Sequence, residues 1–204
     1  MSRLKERLKH YPAVVDLQKR AKKRLPEVAW EYLDMGTDND VALDLNREAL
    51  NRIKFLPKFM LGDIQPDLST TVFGKEYKFP FGVAPVGLTG LMWPRVELIL
   101  AKTAAKYQFP YTLSMVATQT PEAVGAVVGD MGWFQLYPPR NPDMRADILK
   151  RAKDSGFHTL VVTADIPAPS GRQRSVRAGL TMPPKVTPRF VWQGMLNPAW
   201  TMAT

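Results

Sequence analysis

The sequence predicts an α/β protein built on a parallel sheet, and three observations predict it. From residue 80 onward, short and nearly continuous apolar runs alternate with helical segments. The runs start roughly 22 to 30 residues apart, which is the length of one strand plus one crossover helix. Polar side chains gather just where each run ends, and sites in parallel α/β sheets form at the carboxyl ends of the strands.

Residues 1–79 precede this pattern and read differently. Val14, Val15, Leu17 and Ala21 recur among basic residues between Tyr11 and Arg24, as on an amphipathic helix. Leu25-Pro26 opens a second helix, with proline in its first turn; it runs through Val28, Trp30, Tyr32 and Leu33 and stops at Gly36. Asp38-Asn39-Asp40 is the expected cap of a third helix carrying Val41, Leu43, Leu45 and Leu50. Thr70 to Phe79 reads as a small hairpin turning at Gly74-Lys75.

Residues 80–165 then supply four strand and helix units. The strands are Phe81 to Pro85, Tyr111 to Ser114, Trp133 to Tyr137 and Thr159 to Asp165. Helices are expected from about Pro94 to Tyr107, from Pro121 to Val128 and from Pro142 to Ser155. Residues 166–204 are rich in Pro, Arg and Gly, show little periodicity and read as a long loop after the fourth strand. The three stretches are expected to form one incomplete domain.

Composition excludes several classes of function. The chain has 204 residues, 45% of them hydrophobic, enough for a buried core. It has no cysteine and two histidines, so thiolate zinc sites, iron–sulfur clusters and multi-histidine metal centres are excluded, and no metal is expected. No run of about 18 apolar residues is free of breakers, and the N-terminus lacks the features of a secretory signal, so a cytoplasmic protein is expected. The formal charge is +9, yet it is uneven: residues 1–24 hold nine Lys/Arg against two acids, and residues 166–204 hold five against none. The remainder is slightly acidic and carries no nucleic-acid motif, so nucleic acid is not an expected partner. The basic N-terminus reads first as a solvated helix face and second as a weak contact with the inner face of a membrane.

The expected chemistry lies along the carboxyl edge. Gly87 follows the first strand and Ser114 ends the second. Gln135 and Tyr137 alternate at the end of the third, as Thr163 and Asp165 do on the fourth, and Arg172 and Arg174 follow in the loop. Such amides and hydroxyls suit a flat heteroaromatic ring, and an Arg fork suits a carboxylate.

At these residues the chain resembles the FMN-dependent 2-hydroxy-acid dehydrogenase and oxidase family, which includes glycolate oxidase, lactate oxidase, mandelate dehydrogenase and flavin-linked L-lactate dehydrogenase. The segments carrying the likeness are Leu25-Pro26 through Tyr32 to Gly36, Ala84-Pro85-Val86-Gly87, Thr112-Leu113-Ser114, Phe134-Gln135-Leu136-Tyr137 and Thr163-Ala164-Asp165-Ile166-Pro167, in matching order and spacing. The resemblance implies a (β/α)8 TIM barrel preceded by helices, of which this chain would supply about four strands. It implies that Pro85, Val86, Gly87, Ser114, Gln135 and Thr163 bind FMN. It also implies that Tyr32, Tyr137 and Arg172 bind a small (S)-2-hydroxy carboxylate such as L-lactate, with Tyr137 touching the developing carbonyl. Departures from the family pattern are Gly171, where a basic residue is common, and Ser175, where an acid is common. Gly87, where many oxidases carry Ala, leans toward a dehydrogenase.

The family's catalytic histidine, its lysine and its second arginine would all come later than residue 204. His158 precedes the fourth strand, and His10 lies in the N-terminal segment, so neither is an expected base. Asp165 would qualify only if burial raised its pKa strongly. The chain alone is therefore expected to be inactive and to need its missing C-terminal half or a homo-oligomer, because a half barrel leaves strand edges unpaired. Two other readings remain: a non-catalytic relic or half-barrel interaction module, and a different barrel such as a phosphate-binding lyase.

Overall fold

The computed structural model describes residues 3–164, 171–181 and 185–203. Residues 1–54 with 170–204 form one compact unit, and residues 55–169 form a second.

The second unit holds the sheet. A hairpin of β1 (Thr70–Val72) and β2 (Lys75–Tyr77) opens it. Its two-residue turn is Phe73-Gly74, one position before the expected Gly74-Lys75, and both residues have positive φ (53° and 77°). That is the primed-turn geometry whose twist matches antiparallel strands. Next come α5 (Thr89–Met92), α6 (Val96–Tyr107), β3 (Tyr111–Ser114), α7 (Pro121–Val128), β4 (Gly132–Leu136), α8 (Pro142–Asp154) and β5 (Thr159–Val162). β3, β4 and β5 form a parallel sheet in that order. Two helices start on the same device, a proline first residue behind a side-chain cap: the Thr120 hydroxyl accepts from Ala123 N–H, and Asn141 Oδ1 accepts from Asp143 and Met144 N–H.

The expected first strand, Phe81 to Pro85, shrinks to a single bridge between Val83 and Tyr111. Val83 N–H donates to the Pro110 carbonyl at 2.8 Å, and Thr112 N–H donates to the Val83 carbonyl at 3.0 Å. Pro80 and Pro85 bracket it, and neither has an N–H to extend the ladder.

Register divides the sheet into two faces. Tyr111, Leu113, Phe134 and Leu136 share one face, and they form the core with Ala101 and Ala104 of α6, Val124 and Val128 of α7 and Ala152 of α8. Thr112, Ser114, Trp133 and Gln135 alternate onto the other face. The Trp133 indole N–H donates there to the Tyr77 hydroxyl at 2.9 Å, tying the hairpin to the sheet. Leu160 and Val162 of β5 fall on the core face by register but stay 48% and 51% exposed.

The first unit is helical. It contains α1 (Arg3–His10), α2 (Val14–Lys22), α3 (Glu27–Asp34), α4 (Val41–Arg52), α9 (Gln173–Ala178), α10 (Pro188–Leu196) and α11 (Pro198–Thr201). Asp40 precedes α4 but does not cap it: its φ is 61°, and its carboxylate turns to Gly36 and Arg174 instead. The long loop expected over 166–204 carries three helices within its described residues. α10 begins on the same device as α7, with Thr187 accepting from Phe190 N–H ahead of Pro188. Its outward residues Val191, Trp192, Met195 and Leu196 are apolar, which hides the amphipathic period in the sequence. Gln193 binds the unit together: its carboxamide oxygen accepts from Val28 N–H at 2.9 Å, and its nitrogen donates to the Ala178 carbonyl at 3.0 Å.

Candidate active site

Three residues expected to bind a flat ring meet at the carboxyl ends of neighbouring strands. Gln135 on β4 is 2% exposed and central. Its Oε1 accepts from the Ser114 hydroxyl of β3 at 3.0 Å and from Met115 N–H at 3.4 Å. Its Nε2 donates to the Thr163 hydroxyl, one residue beyond β5, at 2.8 Å. Ser114, Gln135 and Thr163 thus form a continuous polar line across three strands. One amide N–H of Gln135 and the Thr163 O–H remain to donate beyond that line.

The segment Pro85-Val86-Gly87 follows the Val83 bridge and is held by its neighbours. Leu88, with φ 51°, donates its N–H to the Val116 carbonyl at 2.9 Å. Gly90 lies so close to Thr118 that a Cβ there would stand 2.2 Å from the Thr118 hydroxyl oxygen. Tyr137 stands one residue past β4, partly exposed.

The sequence reading missed the residue that joins these loops. Glu97 on α6 is fully buried, and its Oε1 accepts from the Thr89 hydroxyl at 2.5 Å, the Thr118 hydroxyl at 2.5 Å and the Thr118 N–H at 3.0 Å. Oε2 has no partner among the described residues. Burial alone would raise its pKa, but the bonds from Thr118 and Thr89 outweigh burial and hold the carboxyl below its ordinary value. Burial, reinforced by the Glu97 charge, pushes the Tyr111 phenol up. In sequence Glu97 is only an acid in the first turn of a helix; its partners lie eight residues before it and 21 after it.

In the helical unit, the Arg172 guanidinium carbon lies 5.8 Å from the centroid of the Tyr32 ring, within cation–π range. Arg174, expected beside it as a second guanidinium for the site, is committed instead to Glu31, Asp34 and Asp40. Asp165 lies outside the described residues. His158 sits at the amino end of β5, where its ring contacts the Asp130 carbonyl and the Thr159 hydroxyl, away from the carboxyl edge. His10 is an exposed residue of α1. No group of three potential metal ligands occurs among the described residues. An apolar cleft of about 360 Å³ opens between the hairpin and the sheet, lined in part by Tyr77, Phe81, Val83 and Trp133. None of Ser114, Gln135 and Thr163 lines it, so it is separate from the polar line.

Residues 21–204 match the model of the FMN-dependent dehydrogenases. The chain is 36% identical over 188 residues to an L-lactate dehydrogenase of Ectopseudomonas mendocina, which covers 92% of this chain and 49% of that one. It is 30% identical over 189 residues to the (S)-mandelate dehydrogenase of Pseudomonas putida, covering 93% of this chain and 48% of that one. Among solved structures, a monotopic membrane protein (S)-mandelate dehydrogenase superposes with a TM-score of 0.85 at 30% identity, over 93% of this chain and 51% of that one. A mandelate oxidase superposes with a TM-score of 0.77 at 31% identity. The chain spans about half the length of the curated relatives it matches. It belongs to the FMN-dependent dehydrogenase family.

Proposed function

We propose, with family membership as the premise, that this chain is the N-terminal, ring-binding half of an enzyme oxidising a small (S)-2-hydroxy acid, L-lactate or a near analogue, to the 2-oxo acid. The observation that carries this reading is the polar line Ser114–Gln135–Thr163, with Ser114 and Gln135 buried. A planar amide set between two hydroxyls, with N–H and O–H donors to spare, fits the edge of an isoalloxazine, which alternates acceptors and donors. Ser114, Gln135 and Thr163 with the backbone of Pro85, Val86 and Gly87 would hold FMN; when bound it supplies the two-electron acceptor. Glu97 keeps the 85–90 and 115–118 loops together and so fixes one wall of that place. Tyr32 and Arg172 hold the substrate carboxylate through a phenol and a guanidinium. Tyr137 faces the hydroxyl that becomes the carbonyl.

On this reading the base that takes the hydroxyl proton belongs to the C-terminal half, because His158 lies at the amino end of β5. Among the described residues the outer edge of β5 has no strand partner, and Leu160 and Val162 stay exposed on the face that helices cover elsewhere; both support further strands and helices of a completed (β/α)8 barrel, supplied by a C-terminal half or a second subunit. No described helix is long and apolar enough to cross a membrane. A peripheral place at the cytoplasmic membrane face is supported by the exposed apolar residues of α10 and by the absence of any acid from 166 to 204.

The test combines the chain with the C-terminal half of the Ectopseudomonas mendocina relative. The pair is expected to bind FMN, quench its fluorescence and bleach its visible absorption anaerobically when L-lactate is added, whereas the chain alone with FMN does not. Loss of flavin binding is expected in Gln135→Leu. A pair that assembles but holds no FMN overturns this reading in favour of an interaction module.

A further inference from the structure

Helix α9 has six residues, too few to persist on its own hydrogen bonds. It is nevertheless anchored along its length to α3 and the turn after it. The Gly171 carbonyl accepts from Asp38 N–H at 2.9 Å, Gln173 Nε2 donates to Asp38 Oδ1 at 2.9 Å, and the Ser175 hydroxyl lies 3.0 Å from the Met35 sulfur. At the centre stands Arg174. Its Nε donates to Glu31 at 2.5 Å, and its two terminal nitrogens donate to Asp40 at 2.6 Å and Asp34 at 3.2 Å.

Two of those carboxylates are oriented by a second bond. The other oxygen of Asp40 accepts from Gly36 N–H at 2.7 Å, and the other oxygen of Asp34 accepts from Gln18 Nε2 at 2.8 Å. One planar guanidinium with five donors can satisfy three convergent carboxylates; a lysine ammonium cannot reproduce that fork. Without it, three like charges would face one another at the surface where α9 docks. Glu31 and Asp34 flank Tyr32 on α3, and Arg172 stands two residues before Arg174, directly ahead of α9. The clamp and the Arg172–Tyr32 pair therefore share both supporting elements.

We propose that Arg174 is a positioning residue: by pinning α9 to α3 through Glu31, Asp34 and Asp40, it sets Arg172 over the Tyr32 ring and preorganises the pair for a substrate carboxylate. The carboxylate role itself rests on the proposed function above; the positioning role rests on the geometry. Preorganisation of this kind acts on binding by removing the ordering that a ligand would otherwise have to impose.

The test uses the full chain, paired for the binding measurement with the C-terminal half of the Ectopseudomonas mendocina relative, and reads the Arg172 side-chain protons by NMR, since a guanidinium stacked on Tyr32 carries an upfield ring-current shift. Arg174→Met is expected to erase that shift and to weaken L-lactate binding by about ten- to a hundredfold. Asp34→Asn takes the charge from the most distant of the three carboxylates and leaves one oxygen to be shared between Arg174 and Gln18, so it is expected to move both readouts in the same direction by less. Arg189→Met, which breaks the Arg189–Glu27 pair in the same unit, should move neither. If Arg174→Met and Asp34→Asn lower thermal stability while leaving the Arg172 shift and the L-lactate affinity intact, Arg174 is merely structural and the proposal fails. If the shift responds but the unaltered chain, paired with that C-terminal half, binds no L-lactate, the positioning role stands and the carboxylate reading falls.

Discussion

The two units organise their polar residues in opposite ways. In the sheet unit, the line Ser114–Gln135–Thr163 is uncharged, buried at Ser114 and Gln135 and partly open at Thr163, and made of neighbours on adjacent strands. In the helical unit, the Arg174 cluster is charged, partly exposed and made of residues 134 to 143 positions apart. A parallel ladder places alternate residues on a common face without long side chains or net charge, which suits contact with a flat neutral ring. A six-residue helix has no such ladder, and multivalent ion pairing, added to the bonds of Gly171 and Gln173 with Asp38, holds it in place next to a pair suited to an anion. The contrast teaches that the sheet positions its chemistry through the backbone, and the helical unit through side-chain charge.

Three substitutions sharpen the contrast. Phe134→Ala removes the centre of the sheet core, so about 3–5 kcal/mol of stability should be lost there. Hydrogen exchange should rise across residues 111–162. Equal acceleration in residues 27–34 would show that the units do not respond separately.

Glu97→Ala leaves the Thr89 and Thr118 hydroxyls and the Thr118 N–H without their acceptor, at roughly 2–3 kcal/mol. Its pH signature follows from the lowered pKa. A carboxyl whose folded pKa is depressed contributes stability that is complete above its unfolded value and disappears as pH falls through the folded one. Acid unfolding below about pH 4.5 should therefore be shallower in Glu97→Ala than in the unaltered chain. Identical acid profiles would mean that Glu97 is not ionised in the fold.

Ser114→Ala is the mildest. Gln135 Oε1 keeps the Met115 N–H, so the loss should be about 1 kcal/mol, read as a small drop in urea midpoint. A larger loss would mark the polar line as a stability element of the sheet unit.

Much of the sheet unit was legible residue by residue. The runs at Tyr111, Trp133 and Thr159 became strands, and the Thr120-Pro121 and Asn141-Pro142 pairs started helices where capping chemistry predicts. Alternation follows from the sequence because period-two geometry is a property of the extended backbone, but the pairing of Ser114 with Gln135 across strands came from the ladder register. The same logic overstated the run at Phe81, where two prolines remove ladder donors, and misplaced the hairpin turn by one residue. Thr187-Pro188 carried the same start signal as Thr120-Pro121, but an apolar outer face masked the helix behind it.

By itself, then, the sequence determined the strand and helix alternation, the faces of the strands and the set of polar groups at their carboxyl ends, since each follows from local backbone geometry and side-chain period. Tertiary structure alone decided that Glu97 closes over Thr89 and Thr118, that Arg174 turns from the site to three carboxylates, and that Arg172 stands over Tyr32. Those contacts join residues up to 143 positions apart, and a side chain's choice among distant charged or polar partners is fixed only when folding brings the partners within reach.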